Sequence, residues 1–228
     1  EIGGEIQVFV GRCLSSVTQV VEMYTFFNGE IDVESRVEVL NISSQIEFPS
    51  FQHHIGEIEF DENGLLWVFN GFNNVIDGPQ NNSSLHGSVI SIDVDMDGQI
   101  EGNSDNPGMR GDRSWNDLVY AKGLRMPWKA TLDSSGHWWI GDVGGSGVER
   151  IFRMEQSGLN FGYPNRNYED ANCEGCEIAW IGIERSDPKY TTEDAESFSS
   201  PYAAVYVGSQ IPISDSIDQD LWGGIIFG

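Results

Sequence analysis

Apolar residues along this chain come in short bursts rather than at helical spacing. Apolar or alternating runs recur at Ile6–Val10, Val20–Phe27, Arg36–Leu40, Ile55–Phe60, Leu65–Phe69, Ser88–Val94, Trp138–Gly141, Val148–Met154, Ala203–Val207 and Gly224–Phe227. No long stretch keeps a 3.6-residue apolar period, so the runs read as β-strands. Gly occupies 27 positions and, with Pro and Asn, interrupts most segments, which favours turns over helices.

Two of the connections look alike. Ile58–Val68 contains Asp61-Glu62-Asn63-Gly64 ahead of Trp67, and Ala130–Ile140 contains Asp133-Ser134-Ser135-Gly136 ahead of Trp138-Trp139, 72 positions later (133 − 61). In such a D-x-x-G turn Asp caps its own backbone and Gly takes the positive φ. Repeated hairpins in an all-β chain predict a β-propeller of four-stranded blades. At roughly 40–50 residues per blade, the chain holds about four to five of them, in a single domain over residues 1–228.

Charge narrows the function classes. The chain has 36 Asp+Glu against 12 Lys+Arg, a formal charge of −24, yet 39% of its residues are hydrophobic. That apolar content suffices for a core, so the acidity belongs on the surface. A polyanionic surface repels phosphate backbones and anionic lipid, which excludes nucleic acid as a partner. Such a surface suits a saline, screened medium, and an extracellular, periplasmic or cell-surface location is expected. No apolar run is long enough to span a bilayer, and the chain opens on Glu1, as expected of a processed or partial sequence.

Smaller motifs add less. Cys173 and Cys176 form a lone C-x-x-C that lacks the second ligand pair of a zinc site; a loop disulfide is expected on export, and two thiols otherwise. The sequons Asn41-Ile42-Ser43 and Asn82-Ser83-Ser84 are compatible with export. Asp93-Val94-Asp95-Met96-Asp97-Gly98 matches the start of a calcium loop, but position twelve is Ser104 instead of a bidentate Glu, so a solvated hairpin turn is the better reading.

Several segments resemble soluble pyrroloquinoline quinone (PQQ) dependent glucose and aldose sugar dehydrogenases, the glucose/sorbosone dehydrogenase family. Gln52-His53-His54-Ile55-Gly56-Glu57-Ile58-Glu59-Phe60 resembles their His-containing strand entry. Gly87–Asp95 is similar to the G-K-[IV]-L-R-[IL]-[DN]-x-D strand, and Asp105-Asn106-Pro107 to the D-N-P after it. Gly123–Ala130 is similar to G-x-R-N-P-x-x, Gly141–Gly144 with Glu149-Arg150-Ile151 to D-V-G-x-x-x-x-E-E-I, and Gly158–Pro164 to G-x-N-Y-G-W-P. Tyr206–Gly228 resembles a later strand pair of the family, so the resemblance covers most of the chain and is weakest before residue 50.

The resemblance implies a six-bladed propeller, longer than this chain at both ends, whose ring further sequence or another chain completes. It implies His53 as the base that takes a sugar C1 hydroxyl proton while hydride passes to PQQ. It implies Arg125 as a cofactor contact, and Gly144 and Gly145 as backbone positions at PQQ and at a bound calcium ion. A neutral imidazole suits proton acceptance, and a guanidinium fork suits the carboxylates and carbonyls of PQQ. Three positions depart from the motifs: Phe72 stands where a carboxylate supports the base, so that Asn70, Asn73 or another side chain would have to substitute, Met126 replaces the Asn of R-N-P, and Arg150 replaces the second acid of E-E-I. The implied activity is an exported aldose dehydrogenase acting on a small sugar and passing electrons to an acceptor. The alternative is a non-catalytic secreted propeller acting as a binding or assembly module with a protein partner.

Overall fold

The computed structural model describes residues 6–44, 53–144, 148–164, 181–184, 207–210 and 225–227. Within them the chain is built of antiparallel strands with no α-helix, and no helix is long and apolar enough to cross a membrane. The strands form four sheets in chain order. The first holds β1 (Ile6–Cys13), β2 (Thr18–Phe27) and β3 (Glu30–Ser43). The second runs β4 (Ile55–Phe60), β5 (Leu66–Asn70), β6 (Ser88–Val94), and its outer position is shared by β7 (Ile100–Gly102) and β8 (Val119–Lys122). β7 pairs with the end of β6 and β8 with its beginning, so this blade is four strands wide. The third runs β9 (Pro127–Leu132), β10 (Trp138–Asp142), β11 (Val148–Met154), β12 (Ile181–Glu184), and the fourth pairs β13 (Val207–Gln210) with β14 (Ile225–Phe227).

Sheets stack face to face, which is why a middle strand can be buried along its whole length. All five residues of β5 are buried, because both of its faces meet a neighbouring sheet. Val21, Leu40 and Ile42 of the first sheet meet Leu66, Val68, Ile90 and Ile92 of the second in one core. Trp67, Phe69 and Val89 meet Ala130, Trp138, Ile140 and Phe152 in the next. The innermost strand β9 touches both β4 and β13, so sheets two, three and four follow one another around an axis.

The repeated hairpins are as the sequence predicts. Asp61 Oδ1 accepts the N–H groups of Asn63 and Leu65, and its Oδ2 accepts Trp67 Nε1 at 3.0 Å. Asp133 repeats this with Ser135, His137 and Trp139 Nε1, again at 3.0 Å. Each turn thus satisfies its own backbone and pins the Trp of the following strand. Asp95 makes the same turn through Asp97 and Gln99, which settles the D-x-D-x-D-G segment as a hairpin.

Other strands differ from the sequence pattern. β3 extends well beyond Arg36–Leu40, because a polar half, Glu30 to Glu38, pairs with β2 as a solvated hairpin that reaches past the core. β9 was predicted only from Ala130, as the strand ahead of the Asp133 turn; it begins three residues earlier, on Pro127, which is tolerated as the first residue of a strand. β7, β8 and β12 are three or four residues long, too short for a periodic signal. β13 begins at Val207, the last residue of its predicted run, and residues 203–206 lie outside the described residues.

Candidate functional site

The inner ends of the second and third sheets place His53 and Arg125 beside each other. The backbone of Phe72 and Asn73 joins them: Phe72 N–H donates to the Arg125 carbonyl at 2.9 Å, and Asn73 N–H donates to the His53 carbonyl at 2.9 Å. Gly71 precedes this bridge, with a backbone so close to His53 that a Cβ would lie 2.2 Å from the His53 carbonyl oxygen. Only Gly permits that approach.

His53 sits at φ 58°, its ring centroid 4.6 Å from that of Phe72. Burial first, then the positive charge of Arg125, lowers its pKa to about 4, while a hydrogen bond with the Asn74 side chain pulls the other way. The imidazole is therefore neutral near pH 7, and its Nδ1 is buried without a hydrogen-bond partner. Phe72 packs on Tyr163 as well, at 5.0 Å between centroids.

Arg125 donates from Nη1 to the Val143 carbonyl at 2.8 Å, and its guanidinium makes no ion pair among the described residues. Its charge acts on the buried Asp142 nearby without an ion pair among the described residues, and a guanidinium with that spare capacity suits an exogenous anion or carbonyl. Asp142, fully buried, frames that corner from below. Its Oδ1 accepts the N–H groups of Arg125 at 3.0 Å and Met126 at 2.7 Å. Burial raises its pKa to about 6, against those hydrogen bonds and the charges of Arg150 and Arg125. Arg150, buried and paired in register opposite Asp142, is thus a counter-charge for this carboxylate.

Gly144 is buried, and its N–H donates to Glu149 at 3.1 Å. Gly145 lies outside the described residues, as do Cys173 and Cys176, while Cys13 is an exposed free thiol. Met126 is buried at the start of the strand that leaves the site. Sequence reasoning named Asn73, with Asn70, only as a substitute for the missing carboxylate, and did not single out Asp142, Asn74 or Tyr163 as site residues. The spacing could have found Asp142, which lies nine positions after Asp133 (142 − 133), as Asn70 lies after Asp61.

Across residues 19–212 the chain matches the family described as Glucose / Sorbosone dehydrogenase. The chain belongs to this family. It is 31% identical over 139 residues to the HIPL1 protein of Arabidopsis thaliana, covering 53% of this chain and 19% of that protein. Its fold matches the PQQ-bound aldose sugar dehydrogenase of Streptomyces coelicolor with a TM-score of 0.62 at 16% identity, over 81% of this chain and 55% of that one. The apo aldose sugar dehydrogenase of Escherichia coli matches with a TM-score of 0.61 at 19% identity, over 78% of this chain and 53% of that one. These are β-propeller folds, and this family member spans about half the length of those solved relatives.

Of the two groups that the family implies, the described residues fit PQQ. PQQ, with its carboxylates and quinone carbonyls, matches the uncommitted cation of Arg125 beside the neutral His53. Calcium requires six to eight oxygens. Among the described residues no three His, Cys, Asp or Glu side chains gather. Near Gly144, the Asp142 and Glu149 carboxylates already accept backbone N–H groups, and Arg150 is a cation in the same corner. The described side chains do not by themselves supply a calcium cradle, and of the two backbone positions expected at the ion, Gly145 lies outside the described residues.

Proposed function

We propose that this chain carries the proton-accepting and cofactor-holding side of an exported oxidoreductase that oxidises the C1 hydroxyl of an aldose or related sugar. The observation that carries this reading is Arg125, which makes no ion pair among the described residues and is stitched through Phe72 and Asn73 to a neutral, desolvated His53. PQQ, when bound, supplies the acceptor for the hydride that leaves C1. His53 accepts the hydroxyl proton at an imidazole nitrogen, and Nδ1 is the atom that has no other partner. Arg125 holds the anionic and carbonyl oxygens of the cofactor, while Asp142 fixes the Arg125 and Met126 backbone from which that side chain departs. The packed rings of Phe72 and Tyr163 keep water from the imidazole.

One observation favours a second reading, a non-catalytic propeller that binds a protein partner: Phe72 offers His53 a ring where a carboxylate would orient and strengthen a base. The two separate on the full-length protein. PQQ titration followed by calorimetry should show binding that weakens at least tenfold in Arg125→Ala. Dye reduction by aldoses should vanish in His53→Gln while PQQ still binds. The acid limb of kcat/KM should fall near pH 4, where His53 protonates, instead of near the usual 6.5. Absence of PQQ binding by the wild-type protein overturns the dehydrogenase and leaves the binding module.

A further inference from the structure

Phe72–Val75 is a tight turn, closed by Val75 N–H on the Phe72 carbonyl at 2.8 Å, with φ of 43° at Asn73 and 59° at Asn74. Positive φ at both central positions is the type I′ pattern, which Asn tolerates and Gly adopts without strain. The turn explains why bulky residues are absent here. It does not explain the side chains. Asn73 is 1% exposed, and neither its Oδ1 nor its Nδ2 has a hydrogen-bond partner; Asn74 Nδ2 and His53 Nδ1 are buried and unpartnered too. A buried donor or acceptor left unmet costs about 1–3 kcal/mol. Glycine would meet the demands of the turn with none of these orphaned atoms, so the amides are retained against the interests of folding.

The unmet atoms belong to His53 and to the turn bonded to it, since Asn73 N–H donates to the His53 carbonyl and the Asn74 side chain hydrogen-bonds the imidazole, and they alternate in character. Asn73 offers an acceptor and a donor, Asn74 a donor, and neutral His53 a ring nitrogen. Adjacent hydroxyl groups, each a donor and an acceptor at once, match such a set, whereas a carboxylate or phosphate would leave Asn73 Oδ1 unmet. We infer that Asn73 is a ligand-recognition residue that hydrogen-bonds a sugar hydroxyl next to the one presented to His53, donating from Nδ2 and accepting at Oδ1. Because the atoms are shielded from solvent, a sugar reaching them would have to displace the Phe72 ring, which packs on His53 and Tyr163. Specificity then follows from the loss incurred when a hydroxyl is missing, since the amide stays unpaired in a closed site.

The inference rests on the proposed sugar chemistry but can stand or fall separately. The test is Asn73→Gly in the full-length protein, with D-glucose as the probe and side-chain amide shifts plus calorimetry as readouts, without cofactor. The expected result is an equal or higher melting temperature together with D-glucose binding at least tenfold weaker. In the wild-type protein, D-glucose should shift the Asn73 side-chain amide resonances. A lower melting temperature with unchanged glucose affinity would assign Asn73 to the turn alone and overturn the inference, even if dye reduction still depends on His53. Glucose binding that depends on Asn73 in a protein that binds no PQQ would uphold it while the dehydrogenase falls. Failure of the wild-type protein to bind glucose would overturn it outright.

Discussion

The inner ends of the second and third blades are built on one frame and finished with opposite chemistry. In each, the strand after the Asp turn reaches its end nine positions on, at Asn70 (70 − 61) and at Asp142 (142 − 133). Backbone bonds correspond as well: Gly71 N–H donates to the His54 carbonyl at 3.0 Å, and Val143 N–H to the Met126 carbonyl at 2.9 Å. His53 and Arg125 themselves occupy equivalent positions of this repeat. Asn70 is a neutral strut, accepting from Gln19 Nε2 at 2.6 Å and donating to the Leu85 carbonyl at 2.7 Å, which ties its blade to the first. Asp142 is a buried acid ringed by backbone donors and two Arg side chains. A symmetric pair of ends would give two struts. The asymmetry instead sets a cation against a neutral imidazole, and that contrast makes the site.

The largest effect expected from breaking this contrast is in Asp142→Ala. It strands the N–H groups of Arg125 and Met126 and removes the counter-charge of buried Arg150, so unfolding in urea should show a loss of about 3–5 kcal/mol. Next comes Asn70→Asp, which copies the third blade into the second. An anion there would face the Leu85 carbonyl with no cation to meet it, and should cost about 2–3 kcal/mol at pH 7, relieved on acidification.

The third test uses pH. Folded Asp142 titrates near 6, above its value in the unfolded chain, so between about pH 4 and 6 the folded state holds the extra proton and stability falls as pH rises. His53, lowered to about 4, has the opposite slope: the unfolded chain holds the extra proton between about 4 and 6.5, and stability rises with pH. Asp142→Asn removes the first slope, on the order of 2–3 kcal/mol across that window, and leaves a net rise from pH 4 to 6.5 in denaturant melts. An unchanged profile would mean that Asp142 does not titrate there. The smallest effect belongs to the turns that the two blades share. Asp61→Asn should cost about 1 kcal/mol, and Asp133→Asn somewhat more, because Arg153 Nη2 also reaches its carboxylate at 3.3 Å.

Much of the frame was legible in the residues. The alternation of Ser88–Val94 and Val148–Met154 gave strands of the predicted bounds, because each is long enough to show its period and lies between turn residues. The Asp–Gly turns were legible because their chemistry is local: one carboxylate caps two N–H groups within four residues. The Pro127–Lys129 half of β9 was not, since its place as an inner strand follows from neighbours on both sides and not from its own pattern. The motifs located His53 and Arg125 but not their relation, which depends on a backbone bridge through residues 72 and 73. The loss of the carboxylate at Phe72 was visible in the sequence. That Asn74 would become the hydrogen-bonding neighbour of His53 was not, because it requires two successive positive φ angles to turn that amide inward.

By itself, then, the sequence determined the all-β character, the repeat, the acidic surface and the identity of the reactive groups. These follow from properties that each residue carries with it: polarity, turn preference, charge. The tertiary structure decided which of those groups are charged and which are committed. A His is neutral near pH 7 here because burial and a nearby guanidinium act together, an Asp titrates near 6 because it is enclosed, and an Arg stays available because the carboxylate beneath it is occupied by backbone. Solvation and proximity belong to positions in space, and no single residue along the chain encodes them.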